Sequence, residues 1–272
     1  LEAGRPGTDV QEVSVKIIAT TTQSQTTLCP EYGQFLEETG LPFIPRERRS
    51  LEAIAREQEA QAVLVWQASG PILHMGLERF FFHPSMAKNR IASYRQLGTI
   101  DPLIKACALE ADSSFLDCTL GLGADSIVAA YHAHEGRVVG LESSPLIAAI
   151  VKWGMKVYHS KMSWLDQAIH SIQVVNAEHY DYLRKLEDNS FDIVYFDPMF
   201  RKPRHKSTAL APLRLLANHQ ALSREVIAEA CRVARKRVVV KEMPVSREFE
   251  RLGIEQLMEN PNNPIAFGVI EV

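Results

Sequence analysis

The chain has 272 residues, of which 46% are hydrophobic and 23% charged, and this balance excludes a disordered polypeptide. Thirty basic and thirty-three acidic residues leave a formal charge of −3, so no overall field would draw the molecule to nucleic acid or to an anionic membrane. There is no run of roughly 18 apolar residues, no signal pattern and no CxxC pair among the four separated cysteines, so we expect a reduced cytoplasmic protein without a membrane partner.

The first ninety residues mix strand-like and helix-like segments. In chain order these are a strand at 13–20, a helix at 31–39 closed by Gly40, a helix after Ser50, a strand at 62–66 and a hairpin at 72–82 around Gly76. We predict a small N-terminal α/β domain over residues 1–90 and a main domain over residues 91–272.

The main domain alternates strands and helices regularly. A helical connection at 91–111 leads to strands at 115–120, 137–142, 171–176, 191–197 and 236–241. The intervening helices are predicted at 124–132, from 145 as a helix pair, at 178–186 and near 210–233, and the last twenty residues are predicted to form an antiparallel hairpin. This alternation indicates an α/β protein with a doubly wound, Rossmann-like parallel sheet, whose ligands bind beyond the carboxyl ends of the strands.

The first of these strands ends in a glycine loop that contains Asp117, Thr119, Gly121 and Gly123. The glycines allow a tight turn and a close backbone approach to a ligand at the start of the next helix, although a glycine pair alone is also common in ordinary loops. Ser126 replaces the third glycine of the dinucleotide fingerprint, and Asp117 would repel a pyrophosphate. The carboxylate of Asp117 instead suits the cationic amino-acid portion of S-adenosylmethionine, which is the predicted cofactor.

The next two strand ends supply further polar residues. Glu142 can accept hydrogen bonds from both ribose hydroxyls, unless it is an ordinary solvated glutamate. Asn176 and Glu178 follow the third strand, where side chains can contact an adenine edge, but either residue can instead cap the helix that follows.

The fourth strand carries the most specific pattern, Asp197-Pro198-Met199-Phe200. An exocyclic amine attacks a methyl group well only when acceptors aim and polarise it, and Asp197 with the carbonyl of Pro198 can serve as those acceptors. Phe200 can stack on a flipped-out base, an interaction of about 1 to 3 kcal/mol. The alternative is a turn proline beside a core phenylalanine.

Three segments in order, DCTLGLGADS, DPMFRKP and KRVVVKEMP, resemble the small-subunit ribosomal RNA guanosine 2-amino methyltransferases over residues 84–245. The segment FFFHPSMAKNRI looks more like an uncharacterised Gram-positive branch of methyltransferases. The resemblance implies methyl transfer from S-adenosylmethionine to guanine in ribosomal RNA, with S-adenosylhomocysteine as product. It also implies that the cofactor is contacted by Ala124, Asp125, Glu142, Ser143, Glu178, His179 and Asp197.

The basic residues that directly follow the Asp197 motif are predicted to contact RNA phosphates; they are Arg201, Lys202, Arg204 and Lys206. The usual interpretation of such a segment is a run of solvated charges. A second basic group surrounds the fifth strand and is predicted to form a basic face suited to structured RNA, with Lys241 among the RNA contacts; the group comprises Arg232, Arg235, Lys236, Arg237 and Lys241. The predicted partner is therefore small-subunit ribosomal RNA or the ribosomal subunit, and no metal is needed.

Three other functions remain open from the sequence. The same cofactor can serve adenine in DNA or RNA, or a protein glutamine, because the acid-Pro-x-aromatic loop recurs with each of these acceptors. A non-catalytic cofactor-binding RNA or ribosome-assembly module is the alternative of another class. A dehydrogenase is disfavoured by Asp117 and Ser126.

Overall fold

The computed structural model describes residues 15–25, 27–198, 220–259 and 264–272. Its helices are α1 (Pro30–Thr39), α2 (Leu51–Glu57), α3 (Ser85–Leu97), α4 (Pro102–Cys107), α5 (Ala124–His132), α6 (Pro145–Val157), α7 (Ser163–His170), α8 (His179–Leu183), α9 (Arg224–Val233) and α10 (Glu248–Leu252). Its strands are β1 (Ile17–Thr20), β2 (Ala62–Gln67), β3 (Gly70–Met75), β4 (Glu78–Phe80), β5 (Ser114–Asp117), β6 (Arg137–Glu142), β7 (Ile172–Asn176), β8 (Phe191–Phe196), β9 (Ala234–Glu242), β10 (Gln256–Glu259) and β11 (Ala266–Glu271).

The first four strands form a small sheet in the order β1-β2-β3-β4, with β1 parallel to β2 and the other pairs antiparallel. The predicted hairpin is confirmed, and its turn holds Gly76 at φ 59°. The signals at the helix ends are confirmed as well. Gly40 ends α1 in the left-handed conformation, and the Ser50 hydroxyl accepts a hydrogen bond from the Ala53 N–H at the start of α2.

The second sheet has the strand order β10-β11-β9-β8-β5-β6-β7. The five strands β5 to β9 are parallel, and the strand order reverses at β5, which lies between β6 and β8. The doubly wound sheet and the C-terminal antiparallel hairpin of β10 and β11 are both confirmed. The gap at the carboxyl ends of β5 and β8 is the position where such sheets bind ligands.

Apolar side chains alternate between the two faces of this sheet. Along β8, Val194 packs into a core beneath α8, α9 and α10, whereas Tyr195 packs into the opposite core beneath α5, α6 and α7. Val194 and Tyr195 are both fully buried. Because both faces are covered, β8 is buried at all six positions, as expected for a central parallel strand.

The small sheet packs against α6 of the larger one. The Trp66 and Trp153 rings meet edge to face at 5.8 Å, and the Trp153 Nε1–H donates to Glu38 of α1 over 2.9 Å. A Cβ on Gly154 would lie 2.3 Å from the Cβ of Phe82, so this glycine permits the close approach. The predicted boundary at residue 90 falls inside α3, and the division into two domains stays a prediction.

Two predicted segments are only partly comparable with the structure. Residues 13 and 14 of the first strand and residues 210–219 of the last long helix lie outside the described residues, and α9 begins at Arg224. The predicted helix at 178–186 is shorter and ends at Leu183. No helix within the described ranges is long and apolar enough to cross a membrane.

Candidate functional site

The loop after β5 is shaped by two left-handed glycines, Gly121 at φ 50° and Gly123 at φ 74°. Gly123 caps α5, and a Cβ at this position would lie 2.4 Å from Cε of Met155, so the glycine is required for packing as well as for conformation. At Gly121 an added Cβ would meet only the Thr119 carbonyl at 3.9 Å. The open side of the loop is therefore at Gly121.

Asp117 lies beneath this loop and is 1% exposed. One carboxylate oxygen accepts the Thr119 N–H over 3.0 Å, and the other accepts the Ser126 hydroxyl over 2.6 Å. Burial raises the pKa of Asp117 to about 7, although both hydrogen bonds oppose this shift. Asp117 thus fixes the loop and places a destabilised carboxylate under it, where a nearby cation would favour ionisation.

Glu142 ends β6 directly beside the loop. Its two oxygens accept the Gly121 N–H over 3.2 Å and the Ser144 N–H over 2.9 Å, and burial raises its pKa. The N–H and hydroxyl of Ser143 also act to lower this pKa. A carboxylate at this position is a suitable acceptor for a pair of ribose hydroxyls. Asn176 donates to the Glu142 carbonyl over 2.8 Å and so holds the ends of β6 and β7 together.

Glu178 is the N-cap of α8. One of its oxygens accepts the Tyr180 and Asp181 N–H groups at 2.7 and 3.2 Å, and the other lies 3.0 Å from Nδ1 of His179. The helix-cap alternative therefore holds for Glu178. Burial lowers the pKa of His179, whose ring packs edge to face on Phe196 at 5.8 Å. Contact of these two residues with the cofactor stays a prediction.

Asp197 follows β8 and is linked to the glycine loop by its backbone. Its N–H donates to Oγ1 of Thr119 over 2.6 Å, and one residue earlier in the loop the Cys118 N–H donates to the Tyr195 carbonyl over 2.8 Å. The Asp197 side chain is 29% exposed, in contrast to the buried Asp117. The structure thus brings the candidate acid of the Asp-Pro motif next to the candidate cofactor loop.

Lys241, near the carboxyl end of β9, lies between two carboxylates. Its ammonium is 2.7 Å from Oδ2 of Asp197 and 2.8 Å from Oδ2 of Asp125. These two acids raise the pKa of Lys241 against the effect of burial. Lys241 was predicted to contact RNA phosphate, but its side chain is only 14% exposed and its charge is directed into the site.

Arg90 of α3 completes this group of charges. Its guanidinium forms a two-pronged pair with Asp101 at 2.7 and 2.8 Å, and a third nitrogen lies 2.5 Å from Oδ1 of Asp125. The Tyr195 hydroxyl donates to the other oxygen of Asp125 over 2.8 Å. Despite burial, Lys241 and Arg90 hold the pKa of Asp125 well below its usual range, so this carboxylate is ionised.

The other predicted basic residues divide into two sets. Phe200 and the four residues Arg201, Lys202, Arg204 and Lys206 lie outside the described residues. The second basic group differs from the predicted RNA-facing surface, because its members pair with acids and three of them lie at the amino end of β9, away from the glycine loop. The pairs are Arg232 with Glu229 and Asp188, Arg235 with Asp192, Lys236 with Glu110, and Arg237 with Glu271.

The residues at this edge fit the groups of S-adenosylmethionine. Backbone is open at Gly121, the carboxylate of Glu142 lies directly beside it, and the carboxylate of Asp117 would be stabilised by a cation. Ala124, Asp125 and Ser143 flank these positions. Within the described ranges, no group of three or more His, Cys, Asp or Glu side chains is placed to hold a metal ion.

Sequence reasoning did not assign a role to Arg90 or Tyr195, and it placed Lys241 among the phosphate contacts. For Lys241 a signal was present, because a lysine follows a run of buried valines at the carboxyl end of a strand. In the expected strand order that strand neighbours β8, which places its end beside Asp197. For Arg90 no local pattern indicates a partner 35 residues away in sequence.

The strand order, the glycine loop and the acids at successive strand ends define a Rossmann-like enzyme that uses S-adenosylmethionine to transfer methyl groups. A family model described as "Putative SAM-dependent methyltransferase" matches residues 75–255. The chain belongs to this family of S-adenosylmethionine-dependent methyltransferases, as the sequence resemblance had predicted.

Individual proteins are similar to this chain over most of its length. The uncharacterized protein YpiP of Bacillus subtilis is 36% identical, with 88% of this chain and 92% of that protein aligned. A ribosomal RNA small subunit methyltransferase J of Halorhodospira halophila is 27% identical, with 75% of this chain and 76% of that protein aligned. The crystal structure of the methyltransferase NGO1261 of Neisseria gonorrhoeae covers 94% of this chain with a TM-score of 0.60 and 20% identity, which shows a shared fold.

Proposed function

We propose that this methyltransferase transfers a methyl group to an exocyclic nucleobase amine, and that the amine belongs to guanine in small-subunit ribosomal RNA. The observation that carries the proposal is the position of Asp197, partly exposed at the end of β8 and hydrogen-bonded through its N–H to Thr119 of the glycine loop. An acceptor held by Asp197 would therefore lie beside the cofactor loop. Relatives named ribosomal RNA small subunit methyltransferase J support the choice of RNA.

The chemistry requires an acceptor for the amine hydrogens. Bound S-adenosylmethionine supplies a methyl group activated by its sulfonium. Held by the residues of the cofactor site, it would supply this methyl group to the amine nitrogen and keep the electron pair of its carbon–sulfur bond, so one N–H proton of the amine would have to be accepted by this chain. Asp197 and the carbonyl of Pro198 hold and polarise the amine, and Asp197 takes the released proton and passes it to solvent. Phe200 stacks on the base.

Other residues hold the cofactor and the RNA. Glu142 binds the ribose hydroxyls, and Asp117 stabilises the positive charge of the amino-acid portion. The contacts expected at Thr119, Gly121, Gly123, Ala124, Asp125, Ser143, Glu178 and His179 complete the cofactor site. The RNA phosphates are bound by Arg201, Lys202, Arg204 and Lys206. Residues 1–90 form a domain of their own in this proposal, and residues 91–272 form the methyltransferase domain.

Transfer of labelled methyl groups to intact small ribosomal subunits and to naked ribosomal RNA tests this function. Asp197→Ala should reduce transfer by about a thousandfold or more, which is far more than any loss of cofactor affinity, while the thermal unfolding midpoint is retained, because both positioning and proton acceptance are lost. Asp188→Asn is the control, since Asp188 is an exposed acid paired with Arg232 away from the site.

Digestion of the labelled RNA identifies the methylated base. Label in guanine that depends on Asp197 is the expected result. Label in adenine, in DNA or in a protein glutamine would show that the acceptor is that group and not guanine in RNA. Full activity of Asp197→Ala would refute the role of this residue. Tight cofactor binding with no labelled acceptor would favour a non-catalytic RNA or ribosome-assembly module.

A further inference from the structure

The proposed acceptor of the amine, Asp197, is already bound on one side. The Lys241 ammonium contacts Oδ2 of Asp197 at 2.7 Å, and no donor among the described residues contacts Oδ1. When one oxygen of a carboxylate is bound by a cation, the orientation of the whole group is fixed, and little side-chain entropy is then lost when the other oxygen binds a ligand. The Asp197 side chain is 29% exposed, so it is not sealed inside the core.

We propose that Lys241 is a positioning residue for methyl transfer, whose ammonium holds Oδ2 of Asp197 so that Oδ1 faces the acceptor amine. This inference rests on the proposed function, because it assigns to Asp197 the contact with the amine. Lys241 itself touches neither cofactor nor acceptor in this arrangement. It also keeps Asp197 ionised, and the ionised carboxylate is both the stronger hydrogen-bond acceptor and the form that can take the proton.

The position of Lys241 is in turn fixed by Asp125. Two of the three N–H donors of the ammonium point to Asp125 and Asp197, so the two acids share one cation. Asp125 is held by Arg90 on its other oxygen and by the Tyr195 hydroxyl. Because Arg90 belongs to α3, which precedes the large sheet, the geometry of Asp197 depends on a helix outside the glycine loop and its strands.

The charged groups around Asp197 determine whether each substitution should raise or lower the pKa of this residue. Lys241 faces it from β9, Asp125 from α5, Asp117 from β5 and the Tyr195 hydroxyl from β8. Burial and the neighbouring Asp125 carboxylate raise the pKa of Asp197, whereas Lys241 lowers it. Removing the lysine should therefore raise this pKa further, and removing the competing Asp125 carboxylate should lower it.

The pKa of Asp197 can be measured without any acceptor. In the full-length protein labelled with carboxyl-13C aspartate, the Asp197 resonance is identified by its loss in Asp197→Asn and followed across pH. We expect Lys241→Met to raise the pKa by about 1 to 3 pH units and Asp125→Asn to lower it. Lys236→Met is the matched control, because this lysine lies at the other end of β9 and pairs with Glu110. It should leave the Asp197 titration unchanged.

The kinetic arm uses the acceptor found in the methyl-transfer assay. Lys241→Met should lower kcat by about a hundredfold with the cofactor Kd changed less than about threefold, and the acidic limb of its pH profile should move to higher pH. Lys241→Arg should restore much of the rate and the original limb, because it keeps a cation near both acids. A merely structural lysine would lower the thermal midpoint in both variants without moving the pH limb.

The two proposals fail separately. An Asp197 titration that is the same in wild type, Lys241→Met and Asp125→Asn overturns the positioning role, whatever the acceptor is. If Lys241→Met does not fold, the direction of the shift in Asp125→Asn decides, and an unchanged or raised pKa there overturns it. The expected shifts without methylation of any nucleobase would support the Lys241–Asp197 coupling and refute the proposed acceptor.

Discussion

Replacement of Asp117 by asparagine should stabilise the cofactor-free protein, and the gain should depend on pH. Burial raises the pKa of Asp117 from its ordinary 3.8 to about 7 in the folded protein, so folding favours the protonated form. Below pH 4 the carboxyl is protonated in both states. Between pH 4 and pH 7 the unfolded state loses its proton first, and the free energy of unfolding of the wild type falls.

The size of this effect follows from the difference in pKa. A difference of about three pH units corresponds to about 4 kcal/mol, which is reached above pH 7. Asparagine removes this penalty and keeps most of the local contacts, because its carbonyl can accept the Thr119 N–H and its amide can donate to the Ser126 hydroxyl. The advantage of Asp117→Asn over wild type should therefore grow by about 2 to 3 kcal/mol between pH 5 and pH 8.

Urea unfolding at several pH values measures this difference, and Asp188→Asn, an exposed aspartate, provides the control. Calorimetric titration on the same samples should show that Asp117→Asn binds S-adenosylmethionine more weakly, since it has lost the charge that favours the cationic cofactor. A stability difference that stays constant between pH 5 and pH 8 would refute the reasoning, because it would mean that folding does not alter the ionisation of Asp117.

Two further substitutions test the cofactor loop. Gly123→Ala should lower the thermal midpoint by about 2 to 8 °C, because alanine is strained at φ 74° and its Cβ would meet Met155. Gly33→Ala in α1 is the control, because a Cβ there would meet no atom within 4 Å. An equal loss in Gly33→Ala would contradict this explanation. Glu142→Gln should raise the calorimetric Kd for S-adenosylmethionine about tenfold or more, since one amide group would face the Gly121 or Ser144 N–H and a charged acceptor is lost. An unchanged Kd would show that Glu142 does not bind the ribose.

The fold was predictable because the spacing of hydrophobic residues changes abruptly between that of a strand and that of a helix along the chain. The bounds of α5 and β6 match the sequence prediction at both ends, since the left-handed Gly123 marks the start of α5 and buried valines mark β6. The start of the helical connection was placed too late, at residue 91, because Pro84 at the N-cap allows α3 to begin at Ser85. Strand and helix periods are local properties, and local properties can be recognised in a single sequence.

The candidate site was less predictable because its charges pair over long distances in sequence. Lys241 pairs with an acid 116 residues earlier, and Lys236 pairs with one 126 residues earlier. In the sequence both belong to one basic group, yet they lie at opposite ends of β9 with different partners. Net charge and clustering cannot separate these cases, because the outcome depends on the strand order and on the direction of each side chain.

The joint between the small sheet and α6 limits how this protein can have changed over time. Trp66, Phe82 and Glu38 all meet α6 at positions where the two surfaces fit closely, and Gly154 is a residue that no larger side chain can replace without displacing Phe82. Neither sheet could therefore be transferred alone to another protein at low cost, since the transfer would expose the aromatic side chains of this interface and leave an acidic residue without its partner.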